Sequence, residues 1–184
     1  MVKGSTLKSR QEFIIEHYGK EAIERLRPFV DESTIRTLTG SILATKWFDF
    51  AINLDLDAAI ATHLGEDTEA FYRSMGAFSA TREGSTAYRA LTSERDPDRL
   101  LRRASTLWTR FFTPGSMRYE EVGFQDVRLS ISGFQSTRQH CWTNLGFFVA
   151  IIGLAGGIAA TAVEESCTST GAAACVYHLR WRKA

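Results

Sequence analysis

The chain has 184 residues, with 22 basic side chains against 21 acidic ones and a net charge of +1. That length fits one folded unit with a core of its own, and the even charge excludes a nucleic-acid binder that relies on bulk phosphate attraction. No apolar signal core follows Met1, so the three cysteines are expected as reduced thiols in a cytoplasmic protein rather than as a disulfide framework.

The first half reads as helices. Phe13, Ile14, Tyr18, Ala22, Ile23 and Leu26 recur at helical spacing, with a break near Gly19. Asp31 offers N-cap chemistry for a short helix through Leu38. A longer helix is predicted from about Asp49 to Leu64, stopped by Gly65, and another from near Asp67 that carries Phe71, Met75 and Phe78. From Thr81 to Arg95 the periodicity is weak, and the segment is read as a mobile connection. Asp96-Pro97 then opens the clearest helix, an N-cap with proline at the first helical position. Leu100, Leu101, Ala104, Leu107, Trp108, Phe111 and Phe112 form its apolar stripe, and Arg99, Arg102, Arg103 and Arg110 form a solvated face.

After Thr113-Pro114-Gly115 the period changes from 3.6 to 2. Val127, Leu129 and Ile131 alternate with Asp126, Arg128 and Ser130, so a strand with one buried face is predicted, paired with Met117 to Val122. A helix from about Ser136 to Leu154 follows, then a hairpin of Ile158–Glu165 and Cys175–Trp181. The uncharged run from Cys141 to Val163 has the length of a membrane span, but Gly156-Gly157 divides it into a buried helix and a buried strand. The expected class is α+β: a single domain over 1–184, mainly helical in 1–113 and sheet-rich in 114–184, with helices covering one face of an antiparallel sheet.

Cys141, Glu164, Cys167 and Cys175 are the candidate metal ligands. Three thiolates and a carboxylate are a donor set suited to Zn²⁺, and four of them close a tetrahedral shell with no open position for a reacting water. The competing reading is three unrelated core thiols. His17, His63, His140 and His178 lack the surroundings of a haem motif and are read as ordinary histidines, with His140 placed beside Cys141 to support it. Trp108, Phe112, Phe134 and Trp142 are candidate lining for an apolar ligand pocket, or simply core.

The run Cys141-Trp142-Thr143-Asn144-Leu145-Gly146, with Glu164, Cys167, Gly171 and Cys175, resembles the 4-vinyl reductase domain, a small-molecule-binding domain also found in phenol- and xylene-sensing activators. Lys3-Gly4, Trp47 and Leu107-Trp108 resemble a family of bacterial proteins of this length, in a superfamily that includes the dimeric TRAPP subunits. The resemblance implies structural zinc at Cys141, Glu164, Cys167 and Cys175. It further implies a non-enzymatic sensory module for a small hydrophobic molecule, acting as a homodimer with no membrane span and no direct nucleic-acid contact. The alternatives are a TRAPP-like interaction scaffold and a tetrapyrrole-related enzyme.

Overall fold

A computed structural model describes residues 1–84 and 88–183. The elements, in chain order, begin with β1 (Val2–Lys3), α1 (Gly4–Tyr18), α2 (Glu21–Leu26) and α3 (Glu32–Thr39). The helical half continues with β2 (Trp47–Phe48), α4 (Phe50–His63), α5 (Glu69–Gly84), α6 (Arg89–Ser93) and α7 (Pro97–Leu107). The sheet-rich half holds β3 (Ser116–Gly123), β4 (Asp126–Ser132), α8 (Arg138–Leu154), β5 (Gly157–Ser166) and β6 (Ala174–Lys183).

The four long strands form one antiparallel sheet in the order β3-β4-β6-β5. Both hairpins expected from the sequence form, and β4 and β6 join them, with Val127 opposite Leu179 and Leu129 opposite Tyr177. Strand alternation decides which face is covered. Val127, Leu129, Ile131, Cys175, Tyr177 and Leu179 all lie on the buried face. The opposite face carries a chain of polar contacts: the ion pairs Arg180–Asp126 and Arg128–Glu165, joined through the His178 ring, which touches both Asp126 and Glu165. A short β1–β2 pair, which the sequence reading missed, fastens the N-terminus, and Val2 also bridges to Phe112.

Helix starts follow local chemistry. The Asp96 carboxylate caps α7 by accepting from Arg99 N at 3.1 Å, Asp49 caps α4 through Ala51 N, and Thr137 caps α8 through His140 N. Asp31 sits at the N-cap of α3 without a side-chain cap bond. The segment 81–95 differs from expectation: α5 runs on to Gly84 and α6 covers Arg89–Ser93, while residues 85–87 lie outside the described part of the chain. The arginines of α7 are tied down on the surface, Arg99 and Arg103 to Glu94, and Arg102 to Asp98 and Glu121.

Two glycines set how closely α5 and α8 cross. A Cβ on Gly76 would run into the Thr143 carbonyl and come within 2.8 Å of Phe147 N, and one on Gly146 would come within 2.6 Å of the Arg73 backbone. The two helices therefore touch backbone to backbone. Only glycine permits that approach.

Candidate functional site: an interior pocket and a thiol corner

A cavity of about 70 Å³ lies between α1, α5, the end of α7, the turn after it, β3 and α8. Most of its wall is apolar. Ala104, Trp108, Phe111 and Phe112 come from α7 and the chain that follows, Met117 from β3, and Phe147 and Phe148 from α8. Trp108 stacks on Phe112 at 4.4 Å, and Phe134 meets Trp108 edge-on at 5.3 Å. Of the four residues expected to line a ligand pocket, Trp108 and Phe112 do line this one. Phe134 backs them from behind, and Trp142 faces elsewhere, against Tyr72 and Arg138.

The polar end was not read from the sequence. Arg10 of α1 is 2% exposed. Its Nε donates to Asp57 Oδ1 at 2.5 Å, its Nη2 to Asp57 Oδ2 at 3.2 Å and its Nη1 to Ser79 Oγ at 2.5 Å. Asn53 donates to Asp57 at 3.2 Å, and Ser9 to Ser79 at 2.8 Å. A signal did exist. Arg10 falls in step with Leu7 and Ile14 on the apolar stripe of α1, and Asp57 shares the buried side of α4 with Leu56 and Ile60. A charge placed in such a stripe marks a buried pair.

His140 lines the same cavity at 3% exposure, with rings of Phe50, Phe112 and Phe134 centred 5.0, 6.0 and 6.1 Å away. Among the described residues neither of its ring nitrogens has a hydrogen-bond partner, and neither does Trp108 Nε1. Its expected place as a support for Cys141 is not what is found, since the ring turns toward the pocket. Burial pushes the His140 imidazole down to about 4, so it is neutral at pH 7. Burial also pushes the nearby Glu83 carboxyl up to about 7, against the pull of Arg10.

These two shifts act on stability in opposite directions. The unfolded chain takes up the His140 proton near 6.5 and the folded protein only near 4, so this group costs stability as pH falls through that window. Glu83 is protonated in the folded protein up to about 7 but only to about 4.5 when unfolded, so it costs stability as pH rises. Between about pH 4.5 and 6.5 the two slopes offset each other. In His140→Phe only the Glu83 slope is left. The unfolding free energy of the wild type minus that of the variant should therefore rise by about 1.4 kcal/mol per pH unit across this window. Urea midpoints at four pH values measure it, and a constant difference would refute the assignment.

The second cluster is the thiol corner. Cys141 of α8, Cys167 after β5 and Cys175 of β6 are buried, with Sγ–Sγ distances of 3.2, 3.5 and 3.9 Å. The three sulfurs lie within 4.8 Å of one another. Such a donor set has the softness a thiophilic cation requires. Here each sulfur is satisfied within the protein: Cys141 by Ser136 Oγ, Cys167 by Ser169 Oγ and N, and Cys175 by Thr168 N and Oγ1. The hydrogen bond from Cys141, helped by those from Thr168, holds the Cys175 thiol below its usual range. Cys141, the donor, is pushed up by that bond and by burial. Glu164, the fourth expected ligand, meets Cys141 and helps to raise its thiol, and its buried Oε1 lacks a hydrogen bond among the described residues.

No protein-family model and no curated protein matches the sequence. Solved structures match its fold. An H-NOX protein from S. oneidensis in the Fe(II)NO ligation state aligns over 98% of this chain and 99% of its own at 13% identity, with a TM-score of 0.76. The Fe(II) unliganded H-NOX protein from K. algicida aligns over 99% and 97% at 12% identity and a TM-score of 0.72. A structure described by heme redox potential and porphyrin distortion aligns over 97% and 99% at 12% identity and 0.73.

These matches correct two expectations. The α+β architecture holds, but it is arranged as in H-NOX proteins rather than in a 4-vinyl reductase or TRAPP-like domain. Structural zinc, expected from the donor set and strengthened by that resemblance, is the second expectation corrected. The structures sharing this fold are described by Fe(II) states and heme, and the thiols that were to hold zinc are partnered by protein hydrogen bonds. By its fold, this chain is similar to the H-NOX proteins over nearly its whole length.

Proposed function

We propose that this protein is a non-enzymatic sensory module that takes up a molecule of gas-like size in its interior pocket. The observation that carries this reading is the pocket itself: mostly apolar, lined by aromatic side chains, and bordered by His140 and Trp108, whose ring nitrogens have no partner among the described residues. The fold supports it, because structures of this fold are described by the ligation state of a small molecule, NO in one case and CO in another. Among the described residues no helix is long and apolar enough to cross a membrane. Pairing with a second copy, expected from the sequence, belongs to the same proposal.

The fold also raises the question of haem: His140 could offer an unpartnered ring nitrogen, but the space beside it does not fit the group. A water's share of the liquid is about 30 Å³, and a cavity that admits benzene is about 150 Å³. The space here, about 70 Å³, suits two waters or a molecule of a few heavy atoms, far short of a ring of four pyrroles. Trp108, Phe112 and Phe134 pack against one another on one side of this space, which narrows it further. The cation nearest the pocket, Arg10, is committed to Asp57 and Ser79. The other histidines lie elsewhere: His17 is bonded to Phe13 O, His63 stacks on Phe29, and His178 is held by Asp126 and Glu165.

Xenon tests the reading, since it enters dry apolar cavities without hydrogen bonds. Xenon-129 NMR of the wild type should show a saturable bound signal that Ala104→Phe, which fills the pocket, abolishes while leaving the fold intact. A xenon signal equal in wild type and variant would overturn the proposal.

A further inference from the structure

We infer that the pocket selects a small neutral molecule carrying a hydrogen-bond acceptor, taken by the Trp108 indole and the His140 imidazole. The inference rests on the pocket reading above and adds the chemical class of its occupant.

The argument starts from cost. A buried polar group without a partner is expensive, and folded proteins avoid it. Three such atoms border one cavity here: Trp108 Nε1 and both ring nitrogens of His140. The two side chains are 5% and 3% exposed, so bulk water does not serve them. No described residue partners them, and both side chains border the cavity, where a partner can sit.

Their chemistry fixes what that partner is. An indole N–H only donates, and a neutral imidazole donates from one nitrogen and accepts at the other. Burial keeps His140 neutral at pH 7, so the pocket presents two donors and one acceptor and no charge of its own at this end. A carbonyl or similar oxygen meets the donors, and a neutral molecule avoids the desolvation that an ion would suffer among Phe111, Phe112 and Phe148. A cation finds no carboxylate free for it, because Asp57 is paired with Arg10 and Glu83 is held protonated near neutrality. A site built to satisfy a polar atom rejects the analogue lacking it far more strongly than it rejects a missing methyl group.

Acetone and isobutene test this, being the same shape with a carbonyl oxygen exchanged for a methylene. In proton–nitrogen spectra the Trp108 Nε1–H signal, assigned with Trp108→Phe, should move downfield on saturation with acetone and hold its place with isobutene. In His140→Phe, acetone should bind at least fivefold more weakly, with isobutene changed less than twofold. Equal indole shifts from the two probes, or unchanged acetone binding in the variant, would overturn the inference while xenon binding leaves the pocket reading standing. If xenon, acetone and isobutene all fail to enter, both readings fall. The wild-type spectra decide the question on their own if the variant does not fold.

Discussion

Gly76→Ala and Gly146→Ala are each expected to lower the unfolding free energy by about 3 kcal/mol, the upper end for forcing extra atoms into a packed interior. A single methyl group has this effect because the obstruction is backbone. The new Cβ at 76 meets Thr143 and Phe147 main-chain atoms, and that at 146 meets the Arg73 main chain. A side chain can swing aside, whereas two helices can only separate. With total stability typically about 5–15 kcal/mol, either change removes a large share. Gly153→Ala is the control. It lies on the same helix with open space around it, and there alanine should add about 0.5–1 kcal/mol through helix propensity. Urea denaturation of the three variants measures the contrast. If all three match, α5 and α8 do not cross as described.

Asp57→Ala is the second large effect, expected at about 3–5 kcal/mol. The loss is mostly what is left behind: Arg10, 2% exposed, keeps a full charge after losing the carboxylate that holds it, with Ser79 Oγ and the weaker pull of Glu83 left to meet it. Removing both partners should be milder, since apolar side chains of similar volume often replace a buried pair at little net loss. The double variant Arg10→Met, Asp57→Leu is therefore expected to recover most of the stability that Asp57→Ala loses. A double variant worse than the single one would mean that the pair contributes net stability of its own. Because Arg10 and Ser79 also border the pocket, the double variant should enlarge its apolar share, and xenon binding would report that.

Much of the fold is legible in the sequence because its elements are amphipathic in a regular way. The stripe from Leu100 to Phe112, the alternation of Val127, Leu129 and Ile131, and the break at Gly156-Gly157 each state a period and an end, and α7, β4 and the α8–β5 junction follow them. The extension of α5 to Gly84 was missed because its last turn carries charge: Arg82 reaches across to Glu12 and Glu16 of α1, so the helix continues on ion pairs rather than on an apolar stripe.

The site was harder to read. Cys141, Cys167 and Cys175 do meet, since a helix laid against a hairpin brings those positions together. Their spacing therefore reports helix-on-hairpin packing, which more than one fold provides, and it could not choose between H-NOX and the 4-vinyl reductase arrangement. The pocket depends on α1, α5 and α8 converging, and nothing local in the sequence encodes that. His140 illustrates the difficulty. Its neighbour in sequence faces the thiol corner, while its own ring looks the other way because successive helical residues point about 100° apart.

Helix α8 turns one side to the pocket through His140, Phe147 and Phe148, and another to the sheet, where Asn144 donates to Tyr177 at 3.1 Å and Cys141 meets Cys175. Gly146, on the same stretch, is in backbone contact with α5. A rod pinned at such a point acts as a lever about a fulcrum. Movement of α8 toward α5 is blocked there by main chain, so what freedom the helix keeps is rotation about that contact.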